Sequence, residues 1–149
     1  MNPILKTVLA VIVGALIGGL INGGIVNLGM SILPLEGIDL NDPAAYDLYG
    51  AFLKNEASLN YFVAPYLAHA LGTLIGALIA YLIAAPEYKK IAAFIVGGFY
   101  LIGGIAASAM IPGPIWFAAL DILTAYLPMA WLATFIGGNV QKEKISHSS

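Results

Sequence analysis

The sequence places two ionisable side chains, His69 and Asp121, inside long apolar stretches. His69 lies within LAHALGTLIGA and Asp121 within WFAALDILTAY. A charged aspartate in hydrocarbon costs about 2.5–3.5 kcal/mol on insertion scales, so Asp121 must be paired, hydrated or protonated. We expect His69 to be its partner if the two helices touch. Such a pair could bind a proton, an ion or a small solute.

Three hypotheses for this pair remain open. The two side chains could form a structural ion pair that locks the helices together. They could instead line an outward-open polar cavity, since ionisable groups within a membrane commonly mark solute and ion pathways. They could also contribute to a metal site, in which His69 joins either Asp121 and Glu36, or Met30 and Met110. The sequence has no close ligand spacing such as H-x-x-x-H, so we predict no metal and no cofactor.

Other polar and aromatic residues are candidates for the lining of the same pocket. Counted along their helices, His69 lies about 13 Å and Asp121 about 10 Å below the outer boundary. Thr73 shares a helical face with His69, and Thr124 shares one with Asp121. The remaining pocket candidates lie near the outer ends of the apolar runs: Asn22, Asn27, Met110 and Trp116.

The elements that carry these residues are transmembrane helices. The chain has 149 residues, of which 60% are hydrophobic and 9% charged, with a mean hydropathy of +0.91. A soluble domain has about 25% charged residues. Four runs reach the length of about 20 apolar residues that crosses a bilayer. These runs lie near 4–33, 59–84, 90–111 and 114–138. We predict one all-α integral membrane domain, a four-helix bundle over residues 1–139, followed by a disordered cytoplasmic tail over 140–149.

The distribution of charge predicts the orientation in the membrane. Lys54 is the one lysine on the side of the 34–58 segment, where several acidic residues also lie. The positive-inside rule therefore places both termini and the 85–90 turn in the cytoplasm, in a bacterial inner membrane. The lysines on the cytoplasmic side are Lys6, Lys89, Lys90, Lys142 and Lys144.

Several classes of function are disfavoured by what the sequence lacks. It has no arginine and no run of basic residues, so we expect no binding of nucleic acid. It has no cysteine, which excludes disulfides and thiolate metal sites. It also contains no nucleophile with a nearby base and no phosphate-binding loop, so we predict that the protein is not an enzyme.

The 34–58 segment contains a predicted short helix near 43–55. Asp42 can cap this helix, and Pro43 suits its first position. Its apolar residues recur at helical spacing, which is typical of a helix lying at the membrane interface. The helix is either a connector anchored at the headgroups or a lid over an outward-facing cavity. The residues on its apolar face are Tyr46, Tyr49, Phe52 and Leu53.

The 17 glycines are ordered at helical spacing. Small residues allow helices in lipid to approach closely, which gains van der Waals contact. We expect these glycines to form packing seams within one chain, and some of them could face another copy in a homo-oligomer. The predicted packing residues are Gly14, Gly18, Gly19, Gly23, Gly72, Gly76, Gly97 and Gly104.

Three features predict departures from straight helices. Pro65 and Pro128 each lack a backbone donor and free the carbonyls of Tyr61 and Thr124, which either bends the helix or opens space for a cavity. The first apolar run would be about 45 Å long as a helix, whereas the hydrocarbon core is about 30 Å thick. It must tilt, protrude or break near Gly23-Gly24.

Four stretches carry a resemblance: AHALGTLIGA, GGFYLIGGI, MIPGPIWF and DILTAYLPMAWLA. Together they resemble a group of small four-helix bacterial integral membrane proteins. The resemblance covers nearly the whole chain, implies the same membrane fold, and carries no activity with it.

The residues themselves predict a function. We expect binding or transport of a small solute, ion or proton through an outward-facing polar pocket around His69 and Asp121. The alternative is a non-catalytic structural or accessory subunit of a larger membrane complex. The expected partners are the lipid bilayer and either further copies of the chain or that larger complex.

Overall fold

A computed structural model of the protein describes residues 1–39 and 42–146, with side chains as far as Val140. Within these ranges the chain is all-helical and has no strand. Four segments are long and apolar enough to cross a membrane: Pro3–Ile32, Asn60–Ile83, Pro86–Met110 and Ile115–Val140. The α-helices of the described residues are α1 (Pro3–Ile32), α2 (Tyr46–Asn55), α3 (Asn60–Ile83), α4 (Lys89–Met110), α5 (Ile115–Thr124) and α6 (Leu127–Ser146).

Helix α1 is continuous over 30 residues. It begins where the side chain of Asn2 accepts a hydrogen bond from the backbone N–H of Ile4 at 2.8 Å, with Pro3 in the first turn. The break near Gly23-Gly24, one of three predicted outcomes, does not occur. Each glycine in a helix interior costs only about 1 kcal/mol relative to alanine, which the long apolar helix tolerates.

The seam between α1 and α3 is built from glycines. The helices run antiparallel, because Gly14 faces Gly76 and Gly18 faces Gly72. A Cβ added at Gly18 would lie 2.5 Å from the carbonyl oxygen of Gly72, and one at Gly14 would clash with the carbonyl oxygen of Gly76. These four predicted packing glycines therefore bring two helices of the same chain together. Gly23 differs from them, since an added Cβ would meet nothing within 4 Å.

Helix α4 uses two further predicted glycines. A Cβ added at Gly97 would lie 2.6 Å from the Cβ of Ala130 in α6, and one at Gly104 would overlap the ring of Tyr126. Gly19 has more room, with the hydroxyl of Tyr100 at 3.5 Å from an added Cβ. Alanines fill most of the core between these helices. The bundle is thus held by small residues that permit close backbone approach.

The last span, predicted near 114–138, is found at Ile115–Val140 and consists of two helices. Helix α5 ends at Thr124 and α6 begins at Leu127. Pro128 lies in the first turn of α6 and has no N–H to offer the carbonyl of Thr124, so the helix breaks there. The break falls at Ala125 and Tyr126.

Helix α6 also extends beyond its predicted end. The sequence predicts a disordered tail from residue 140, whereas α6 continues to Ser146. The residues QKEK are good helix formers, so they prolong a helix that is already nucleated. Residues 40 and 41 of the predicted outer segment and residues 147–149 of the predicted tail lie outside the described residues.

The short helix predicted near 43–55 is present. The side chain of Asp42 accepts a hydrogen bond from the N–H of Ala44 at 2.9 Å, a 3-10 turn covers Pro43–Ala45, and α2 follows. Gly50 of α2 lies against Pro112, which connects α4 to α5. We call the end of the bundle formed by α2, the start of α3 and the 111–114 turn the α2 end.

Candidate functional site

The structure brings together His69 of α3 and Asp121 of α5. The Nδ1 atom of His69 lies 2.9 Å from both carboxylate oxygens of Asp121. The side chain of Asp121 is 3% exposed and that of His69 is 23% exposed. The carboxylate is thus withdrawn from the surface and has an imidazole as its partner. This contact places both groups among the helices, where the sequence predicts them.

A third residue, Tyr126, completes the surroundings of the carboxylate. Its hydroxyl donates a hydrogen bond to Oδ2 of Asp121 at 2.8 Å. The Tyr126 side chain is buried, and its ring lies with its centroid 5.7 Å from that of His69. Gly104 makes this possible, because an added Cβ there would overlap the phenol ring. The carboxylate of Asp121 therefore receives hydrogen bonds from two side chains, which offset part of its desolvation.

Sequence reasoning missed Tyr126 for a geometric reason. Tyr126 follows Asp121 by five positions, and in a continuous helix such residues point to different faces. The break between α5 and α6 turns Tyr126 back toward Asp121. The signal that could have found it is Pro128, which predicts the loss of helical geometry just before it.

A second hydrogen-bonded link joins α3 and α5 beside the first. The Thr124 hydroxyl donates to the carbonyl oxygen of Leu120 at 2.7 Å, and the Tyr66 hydroxyl lies 3.0 Å from Thr124 Oγ1. Since the Thr124 proton is committed to Leu120, Tyr66 is the donor in the link. Tyr66 precedes His69 by one turn, so two polar contacts fix the spacing of these helices.

A cavity of about 880 Å³ lies at the α2 end, with His69 and Asp121 at its inner limit. Most of its walls are apolar or aromatic, and its polar groups are few. Phe62 lies between two other wall residues, with ring centroids 5.0 Å from Trp116 and 4.9 Å from Phe117. Residues from every side of the α2 end contribute to the lining, among them Val26, Met30, Tyr49, Leu53, Lys54, Tyr61, Pro65, Ala107, Ser108, Ile111 and Ala118.

Three of the predicted pocket residues line this cavity, namely His69, Asp121 and Trp116. Asn27 does not line it, because its amide donates to the carbonyl oxygen of Gly23 in the same helix at 2.8 Å. Asn22 also lies outside the lining.

The other three predicted pocket residues also lie elsewhere. Met110 is 56% exposed on the outside of the bundle, and Thr124 is committed to the link with Tyr66. Thr73 is buried one turn from His69, and its hydroxyl has no hydrogen-bond partner among the described residues. Thr73 and Thr124 therefore do not line the cavity.

The structure does not bring together either of the two ligand sets considered for a metal site. Among the described residues, no group of three or more His, Cys, Asp or Glu side chains could hold a metal ion. Glu36 lines a separate cavity under α2, so it does not join His69 and Asp121. Met30 lines the main cavity, whereas Met110 does not.

Tyr49 lines the cavity from α2 and keeps its proton well above neutral pH. Burial of its hydroxyl raises the pKa of Tyr49, and the neighbouring Tyr61 raises it further. Tyr49 therefore offers a neutral phenol near the mouth of the cavity, where it can donate or accept a hydrogen bond.

Comparison with protein-family models, with curated proteins and with solved structures gives no match for this chain. The function must therefore be argued from the geometry of the site itself.

Proposed function

We propose that the chain is an integral membrane protein that binds a small solute in the cavity above His69 and Asp121, for transport or sensing. Four helices of sufficient length and apolar character support membrane insertion. The lysine distribution favours a cytoplasmic location for both termini. In that orientation the α2 end, and with it the cavity, faces outward.

The observation that carries the proposal is the continuity of the cavity with the His69–Asp121 pair. An ion pair that serves only to lock two helices needs no adjacent space. Here a cavity of about 880 Å³ leads to the pair. This volume lies within the range of about 300–1,000 Å³ that is typical of small-molecule sites. His69 is also the more exposed partner, so it can contact a molecule in the cavity.

The position of α2 supports a role as a lid. Tyr49, Leu53 and Lys54 line the cavity, and Leu53 is buried. A helix that served only as an interfacial anchor would direct its apolar side chains toward lipid headgroups. Outward displacement of α2 would enlarge the opening, so its movement would control entry of a solute.

The competing proposal is an accessory subunit that packs against other membrane proteins. It is favoured by glycines with no neighbour within 4 Å of an added Cβ, which could accept another helix. These are Gly23 and Gly24 in α1, and Gly98 and Gly103 in α4. The same surfaces would serve a homo-oligomer, so they do not argue against a solute-binding cavity.

A thermal-stability screen separates the two proposals. Purified wild-type protein and the His69→Gln variant are each heated with a panel of small amphipathic amines, alcohols, carboxylates and sugars. A solute-binding protein is stabilised by at least one compound in the wild type and by none of the same compounds in the variant. Absence of any stabilisation, together with a defined membrane partner in pull-down experiments, would support the accessory subunit instead.

A further inference from the structure

We propose that the cavity takes a lipophilic monocation, an ammonium carried on an apolar body, whose charge replaces the proton of His69. This inference rests on the proposed solute-binding function and narrows it to one chemical class. It follows from the charges that line the cavity, the hydrogen bonds that the pair has already made, and the character of the walls.

The charged groups lining the cavity are few in the described part of the chain. Asp121 and the ionisable His69 lie at the inner limit, and Lys54 lies on α2 near the mouth, where it is exposed to solvent. Neither α1 nor α4 contributes a titratable side chain to the lining. Two phenols, Tyr49 and Tyr61, line the cavity, and a third, Tyr126, donates a hydrogen bond to Asp121. The Tyr66 hydroxyl is bonded to Thr124 instead.

Charge balance at the inner limit favours a cation. With His69 protonated, the pair carries no net charge. Loss of that proton leaves the charge of Asp121 without a counterion, which is costly in an apolar, buried site. A bound monocation restores neutrality, whereas a bound anion would leave a net negative charge whether or not His69 is protonated. A neutral ligand would not compensate the charge of Asp121.

The hydrogen bonds of His69 leave one ring atom for the ligand. Nδ1 is committed to Asp121, so the neutral ring donates its Nδ1 proton there. Nε2 has no hydrogen-bond partner among the described side chains and its lone pair can accept an N–H from an ammonium. In the exchange, one proton leaves Nε2 for solvent as one ammonium binds, and no covalent bond of the ligand changes.

The aromatic walls of the cavity favour a ligand whose ammonium is attached to an apolar group. Phe62, Trp116 and Phe117 form a contiguous aromatic surface, with Trp116 and Phe117 centroids 5.8 Å apart. Aromatic faces attract ammonium groups and also bury apolar groups, so they suit a molecule with both. A small inorganic cation would gain little from such walls, because they offer few oxygen ligands in place of its water.

Three probes of the same shape test the inference: para-butylbenzylamine, para-butylbenzyl alcohol and para-butylbenzoate. Binding to wild-type protein in nanodiscs is measured by calorimetry, with empty nanodiscs subtracted to remove partitioning into lipid. Near neutral pH we expect the amine to bind at least about tenfold more tightly than the alcohol, and the benzoate to bind most weakly. Buffers with different ionisation enthalpies should show proton release on binding of the amine.

The outcomes separate the two proposals. If the alcohol or the benzoate binds as tightly as the amine, or if no proton is released when the amine binds, the ligand is not a cation that replaces the His69 proton, while the solute-binding site stands. If none of the three probes binds, the lipophilic cation is wrong, and the solute-binding function fails with it only if the wider panel of the thermal screen also stabilises nothing. These measurements use the wild-type protein, so they do not depend on whether a variant folds. In a folded His69→Gln variant, the proton release should disappear.

Discussion

His69 Nδ1 lies 2.9 Å from both carboxylate oxygens of Asp121, although the two residues are 52 positions apart in the chain. This contact connects α3 to α5 at the inner limit of the cavity. It also explains how an aspartate can be buried in an otherwise apolar bundle, because histidine and Tyr126 satisfy its oxygens. The contact thus has two consequences, one for stability and one for ligand binding, and they can be measured separately.

The His69–Asp121 pair should be energetically coupled. We expect His69→Gln and Asp121→Asn each to destabilise the bundle, and the double variant to lose less than the sum, with a coupling free energy of about 1–3 kcal/mol. The physical reason is that either single change leaves the other polar group buried with a poorer partner. Free energies of unfolding of the four proteins in mixed micelles measure this coupling. Additive losses would show that the pair makes no direct contribution.

Tyr126→Phe should lower the free energy of unfolding while leaving the aromatic ring packed in the site. The ring remains in place, but the hydrogen bond to Asp121 is lost, at an expected cost of about 1.5–3 kcal/mol for a bond to a charged group. Tyr66→Phe is the matched control, because it removes a phenol hydroxyl bonded to neutral Thr124. We expect the control to cost about 0.5–1.5 kcal/mol. Equal losses of unfolding free energy in the two variants would contradict a special role for Tyr126.

Gly104→Ala should disrupt the site by displacing Tyr126. The added Cβ overlaps the Tyr126 ring, which must move and release Asp121, so we expect a loss of about 1–3 kcal/mol and weaker binding of the amine probe. Gly103→Ala is the control in the same helix, since its Cβ would meet nothing within 4 Å. Alanine there should leave stability unchanged or raise it by up to about 1 kcal/mol. Thermal unfolding and calorimetry compare the pair, and a neutral Gly104→Ala would contradict the packing described above.

Gly18→Ala should weaken the packing of α1 against α3. Its Cβ would approach the Gly72 carbonyl oxygen to 2.5 Å, and backbone atoms on both sides must shift to accommodate it. We expect a loss of about 1–3 kcal/mol, as for other overpacked sites. Gly24→Ala, which has open space around its Cβ, should cost much less. If native mass measurement instead showed that Gly18→Ala dissociates an oligomer without destabilising the protomer, the seam would lie between chains.

The sequence was sufficient for much of the fold because the relevant signals are local. Apolar length predicts the helices, and Asp42 with Pro43 predicts the short helix that begins there. The sequence predicted His69 as the partner of Asp121 on the condition that their helices touch, because an aspartate in an apolar run needs a partner. The prediction of the helices required no knowledge of how they are arranged, whereas the pairing of His69 with Asp121 did require it.

The rest of the site depends on how the helices are arranged relative to one another. The role of Tyr126 arises from the break between α5 and α6 and from the space left by Gly104, which lies on another helix. Asn22 and Asn27 were predicted in the pocket from their depth alone, but depth does not determine the direction of a side chain around the helix axis. The size and apolar character of the cavity result from several helices together, so no single stretch of sequence encodes them.

Substituted-cysteine labelling tests the central claim, a water-filled cavity that opens at the α2 end. The chain has no cysteine, so Ala118→Cys and Ala119→Cys each introduce a single thiol. Ala118 lines the cavity, whereas the adjacent Ala119 is exposed on the outside of the bundle, where we propose that lipid lies. A charged methanethiosulfonate reagent reacts with the thiolate, which forms readily in water and poorly in hydrocarbon.

We predict that reagent added to the outside of intact spheroplasts labels Ala118→Cys at least about tenfold faster than Ala119→Cys, as expected for a thiol in water compared with one in lipid. The amine probe should slow only the first reaction. Equal labelling of the two positions, or labelling of neither, would contradict an open cavity leading to His69 and Asp121.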